Sequence, residues 1–164
     1  MKTIENFGNT FKAMIAAIVF ISSVMLTACE KDKNDTNNNT QTYTTTGNAS
    51  GAQENPAVTT TATGTLSGTY NASTNIWNYT INWSGLSNTA TAVQLSGPAT
   101  AGVNGNLVTA LTITTPGATG TASGNVTLTE QQESDLLAGK YYYNILTATN
   151  VTGEVRGQIM ATLQ

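Results

Sequence analysis

The sequence predicts a single all-β domain, a sandwich or barrel of short strands with one short connecting helix. Three observations predict it. From about Gly47 to Gln164 the chain is rich in Thr, Val, Ile and Tyr, residues that suit a pleated, half-buried surface, and Gly or Asn interrupts it about every ten residues. Ile76 to Trp83 alternates strictly, which puts Trp77, Tyr79, Ile81 and Trp83 on one face and Asn78, Thr80 and Asn82 on the other. One segment alone, Thr129 to Lys140, carries helix punctuation. A length of 164 residues fits one domain.

In chain order, Met1 to Lys12 carries Lys2 and Lys12 and leads into an apolar run from Ala13 to Met25. That run is shorter than the roughly 20 residues a membrane span needs and suits a secretory signal, expected over residues 1–28. It stops at Leu26-Thr27-Ala28-Cys29, which resembles the lipobox of bacterial lipoproteins. The resemblance implies cleavage by signal peptidase II and acylation of Cys29, the chain's only Cys. Each buried methylene of such an anchor contributes about 0.8 kcal/mol, so two or more acyl chains hold firmly. Residues 29–46 are expected to form a polar, flexible tether. Its charged start, Glu30 to Asp35, resembles the signals that export some lipoproteins to the outer face of the outer membrane, and reads equally as a solvated linker.

The β domain is expected over residues 47–164. Besides Ile76 to Trp83, Leu107, Thr109, Leu111 and Ile113 form an alternating set. Val155, Gly157, Ile159, Ala161 and Leu163 form another, opposite Glu154, Arg156, Gln158, Met160 and Thr162. Further strands are expected around Thr42 to Ala49, Thr63 to Tyr70, Ala92 to Ser96, Thr121 to Leu128 and Tyr141 to Leu146, about eight in all. Thr129 and Gln132 have capping-box spacing, and Gly139 suits a helix C-terminal cap. Leu136 and Leu137 should pack this helix on the β core, with Glu130, Glu133 and Asp135 facing water.

Composition excludes several functions. With no His, the commonest general base and metal ligand are missing. One Cys excludes a disulfide framework and a Cys-based zinc site. A net charge of −3 and a pI near 4.6 argue against a nucleic-acid surface. No cofactor motif is present, and phosphate loops and EF-hand loops are absent.

Several segments, in order, resemble the CHRD domain, a module named from the extracellular protein chordin and found in many secreted bacterial proteins. They are Ser50 to Val58 with Ala62-Thr63-Gly64, Trp83 to Leu86, Gly97-Pro98-Ala99, Leu137 to Asn144, and Gly153-Glu154-Val155-Arg156-Gly157-Gln158-Ile159. The resemblance implies an immunoglobulin-like or Greek-key fold, and it carries no settled activity. Bacterial CHRD domains commonly have a His-x-His pair and a further His at the positions occupied here by Gln94, Ser96 and Leu146. If those imidazoles collect a metal, this chain has lost the site.

Among the domain's charges outside the helix segment, Glu54, Glu154 and Arg156 stand apart. They are expected to form a structural ion pair, with Arg156 held by Glu54 or Glu154. The competing reading makes the two Glu a general acid and base for glycoside cleavage. Aromatic strand residues are expected in the core, both Trp included. Tyr142, on the face opposite Tyr141 and Tyr143, is the candidate ligand contact. No catalytic residue is assigned. The expected protein is a lipid-anchored component of the cell envelope, in the outer membrane and facing the periplasm or the exterior. Its role is non-enzymatic, structural or in binding a glycan or envelope protein; it has no nucleic-acid partner and no cofactor. The alternative is a surface carbohydrate-binding or weakly hydrolytic accessory protein.

Overall fold

The computed structural model describes residues 41–164. The expected signal segment, Cys29 and the first part of the tether lie outside the described residues. Ten strands form one sheet: β1 (Thr42–Ser50), β2 (Thr63–Asn71), β3 (Ile76–Ser84), β4 (Ala90–Ser96), β5 (Leu107–Leu111), β6 (Ile113–Thr115), β7 (Gly120–Thr127), β8 (Tyr142–Thr147), β9 (Val155–Gln158) and β10 (Met160–Leu163). One helix, α1 (Glu130–Leu137), links β7 to β8, and a short 3-10 turn, Gly51–Gln53, follows β1. Strand begins at Thr42, so the domain starts within the stretch assigned to the tether, before the boundary set at 47.

All neighbours are antiparallel, in the order β5-β4-β8-β9-β1-β2-β3-β7-β6, with β10 paired to β1. The alternating run from Leu107 to Ile113 explains how the sheet curls into a nearly closed barrel. Its first half pairs with β4 and its second half with β7, so consecutive residues serve both ends of the sheet. At the switch, the Thr112 N–H donates to the Tyr79 hydroxyl at 2.9 Å, and the Thr112 carbonyl accepts from Ser123 N–H at 3.0 Å. A barrel is therefore realised rather than two facing sheets, and closure shields most strand edges. The run near the C-terminus splits in the same way: β9 pairs with β8 and β10 with β1.

Alternation fills the interior as expected. Trp77, Ile81, Leu95, Tyr143, Ile145, Val155 and Ile159 are fully or almost fully buried. Both Trp are buried and have partners for their indole N–H groups. Trp77 donates to Thr45 Oγ1 (2.9 Å) and Trp83 to the Gly117 carbonyl (3.0 Å). The α1 capping box forms, with Thr129 and Gln132 exchanging hydrogen bonds, and Gly139 ends the helix at φ +67°. Leu136 is buried against the core and Leu137 partly so. Asp135 departs from expectation. It is buried, because Lys140, just past the helix, turns back to pair with it at 3.2 Å.

Tyr79→Phe is expected to lower stability by about 1–3 kcal/mol, because the Thr112 N–H loses its acceptor at the junction that closes the barrel. Thermal unfolding together with hydrogen exchange at the Thr112 amide checks this. Wild-type values for both would show that the junction holds without the hydroxyl.

Candidate functional site

On β8 and β9 odd-numbered residues from Tyr143 to Ile159 point into the barrel, so Tyr142, Asn144, Arg156 and Gln158 point outward. They are nonetheless covered, because two loops fold over this face: residues 51–58, and residues 97–106 between β4 and β5. Asn55 Nδ2 donates to the Gly102 carbonyl and Asn104 Nδ2 to the Asn55 carbonyl, each at 2.8 Å, which ties the loops to each other.

Arg156 fastens this cover to the barrel. Its Nη1 donates to Asn104 Oδ1 (3.1 Å), its Nη2 to the Val103 carbonyl (2.6 Å), and its Cζ lies 3.4 Å from the centre of the Tyr142 ring. The expected ion pair with Glu54 or Glu154 is not formed. Among the described residues the one ion pair is Lys140 with Asp135. Arg156 does act as a staple, but through a carbonyl, an amide and an aromatic face, which satisfy a planar guanidinium without a second buried charge. Tyr142 differs from expectation as well. It faces outward as expected, yet it is buried, because its hydroxyl exchanges hydrogen bonds with Gly105 and Arg156 covers its ring.

Glu154 has a different role. Fully buried, its carboxylate accepts from Ser87 N–H (2.8 Å), Ser87 Oγ (2.6 Å), Thr147 Oγ1 (2.9 Å) and Thr60 Oγ1 (3.0 Å). Burial pushes its pKa up, but the bonds from Ser87, Thr147 and Thr60 outweigh that and hold it below the ordinary carboxylate range.

Glu54 is the reverse case. It follows the 3-10 turn and borders an open polar cleft of about 370 Å³, with Gln94, Ser96, Tyr142, Asn144 and Gly153 among the other lining residues. Its Oε1 is buried and has no hydrogen-bond partner. Burial pushes its pKa up from 4.5 to about 7, and the nearby Arg156 charge moderates that rise. Gly153 makes the approach feasible. At φ +136°, a Cβ there would lie 2.5 Å from Glu54 Oε1 and would also collide with the Asn144 amide. Glycine is needed at 157 for a related reason, since the Tyr143 ring lies where a Cβ would be.

The three positions matched to histidines by resemblance share the outward face of β4 and β8 here. Gln94 and Ser96 line the cleft, paired in register with Asn144 and Tyr142, whereas Leu146 lies further along β8 opposite Ala92. Among the described residues no group of three or more His, Cys, Asp and Glu side chains comes together to hold a metal. Sequence reasoning missed Asn144 and Asn104 as site residues. The signal for Asn144 was its place within the Tyr-Tyr-Asn segment already singled out.

A barrel closed by one split strand, with two loops bound over its outer face by the Gly-Glu-Val-Arg-Gly-Gln-Ile segment, defines a small all-β module. The chain belongs to the CHRD domain family, whose model matches residues 45–159. Comparison with the curated proteins and with the solved structures returned no match.

The two glutamates give stability opposite pH dependences. Glu54, with its pKa raised, contributes fully below about pH 4.5 and loses that contribution as pH rises towards about 7. Glu154, with its pKa lowered, contributes above 4.5 and loses that contribution as pH falls through its folded value. The melting temperature is therefore expected to peak near pH 4.5 and decline towards 7, with the decline abolished in Glu54→Gln. A wild-type profile that is flat across that interval would contradict this. Arg156→Met is expected to destabilise by about 2–4 kcal/mol and to speed exchange in residues 97–106, through the loss of charged hydrogen bonds and the contact with the Tyr142 ring. An unchanged melting temperature would sink the staple.

Proposed function

We propose that this chain is a lipid-anchored protein of the cell envelope, placed in the outer membrane, whose CHRD domain binds a polar ligand without chemical turnover. The lipid anchor rests on Leu26-Thr27-Ala28-Cys29 and the apolar run before it. The role of the domain rests on one observation. The cleft borders a single carboxyl, Glu54, while the other candidate, Glu154, is sealed from solvent and engaged by four hydrogen bonds. Glycoside hydrolysis needs two carboxyls flanking the scissile bond, one to give a proton and one to act as base or nucleophile. Glu154 takes no part in lining the cleft, so a second carboxyl is missing there. What the cleft offers instead is amide, hydroxyl and carboxyl groups on a fixed frame, which suits recognition of a glycan or of a polar segment of an envelope protein. The acidic balance and the single Arg, committed to the loops, argue against a nucleic-acid partner.

Two experiments test this reading. Cells fed labelled palmitate should label the wild-type chain and leave Cys29→Ser unlabelled and released from the membrane fraction. Equal labelling of both would remove the anchor. A pull-down with envelope polysaccharides should retain the full chain and leave the polysaccharide uncleaved. Release of reducing ends that depends on Glu54 would replace binding by hydrolysis.

A further inference from the structure

Two buried oxygen atoms of residues that line the cleft have no hydrogen-bond partner in the protein. Asn144 is more than nine-tenths buried, and its Nδ2 is fixed by a 2.8 Å bond to the Thr152 carbonyl, so the amide orientation is set and Oδ1 is left without a partner. Glu54 Oε1 is the second unpartnered acceptor, and both atoms crowd the same point beside Gly153. Buried acceptors of this kind are rare because each loses its hydration without compensation. Donors on neighbouring atoms of one ligand match this pair of acceptors in number and kind.

Charge selects among such ligands. Arg156 is 1% exposed and has no ion-pair partner, and its field acts on Glu54, so an ionised Glu54 is the nearby countercharge of the buried guanidinium. A bound cation would leave the site with excess positive charge, and an anion would face two bare oxygens. A neutral pair of donors satisfies both acceptors and keeps the balance. Gln94 and Ser96, in register with Asn144 and Tyr142, add further polar groups to the same wall, and the half-exposed Leu107 gives an apolar lip for a C–H face.

We propose that the cleft binds a neutral polyhydroxylated ligand through a vicinal diol, one hydroxyl donating to Glu54 Oε1 and its neighbour to Asn144 Oδ1. This rests on the binding role argued above and names its ligand class. Hydrogen bonds from the diol favour the ionised carboxylate, so affinity rises with pH through about 7 and binding below that pH releases a proton. Arg156 is the charged group that acts on Glu54.

The test uses the full chain in detergent micelles, titrated with methyl α-D-mannopyranoside, glycerol, 1,4-dioxane, calcium chloride and butylammonium chloride. The readouts are the amide signals of Gly153 and the Asn144 side chain and the protons released. The mannoside is expected to shift these signals at millimolar concentration, several-fold more tightly at about pH 8 than at about pH 6, and Glu54→Gln to weaken it at least about tenfold. Glycerol acting as well as the mannoside assigns the site to polyols in general, and the mannoside alone assigns it to sugar rings; both support the diol. Shifts of equal size with dioxane, or shifts with either cation and none with a diol, overturn the proposal. Diol binding that survives Glu54→Gln, or that shifts signals elsewhere in the wild type, overturns this site while the binding role stands. Failure of these probes overturns the diol, and failure of envelope polysaccharides as well leaves a polar segment of an envelope protein as the ligand of the binding role. Should Glu54→Gln not fold, the wild-type shift map decides by the same criteria.

Discussion

A carboxylate removed from water must be met by donors, and the fully buried Glu154 is met by Ser87 twice, Thr60 and Thr147. These donors come from the loop before β2, the loop between β3 and β4 and the end of β8, so one side chain holds three distant parts of the chain in fixed relation. Losing any donor would leave a buried charge short of a partner, which is much more costly than losing a surface contact. Fixing Glu154 also fixes the strand that follows it. With Val155, Gly157 and Ile159 turned inward, Arg156 and Gln158 are left to face out, where they bind the loops over the barrel.

The division of labour among the three charged residues follows from that register. Glu154 needs no cation because hydroxyls and an amide satisfy it. Arg156 needs no anion because a carbonyl, an amide oxygen and an aromatic face surround it. Glu54 is then the charge that folding leaves unmatched. Burial raises its pKa to about 7, and Gly153 leaves room for it beside Asn144. The fold settles its other carboxylate completely and leaves this one bordering the cleft, which is where the proposed binding rests.

Most of the fold was legible in the sequence because alternation is a strong signal wherever one face is buried. Ile76 to Trp83 forms β3 with the expected faces, and Thr129 with Gln132 forms the expected capping box. Partner switches left no mark. Thr112 and Ile159 continue their alternating patterns, yet the strands around them change neighbours there, because pairing is decided by curvature of the whole sheet rather than by local residues. The site was legible as a set of residues and misread as a set of contacts. Glu54, Glu154, Arg156 and Tyr142 all matter, but opposite charges close in sequence suggested a pair where polar neutral groups, contributed by loops of no regular pattern, took the role instead.

The two glutamates occupy opposite environments, one sealed and fully hydrogen-bonded, the other with a buried oxygen left unpaired. Carboxyl carbon NMR of the full chain across a pH titration measures both at once. Glu54 is expected to titrate near 7 and Glu154 to remain ionised below the ordinary 4.5. A Glu54 that titrates at 4.5 or lower, or a Glu154 that takes up its proton at or above that value, would contradict this expectation.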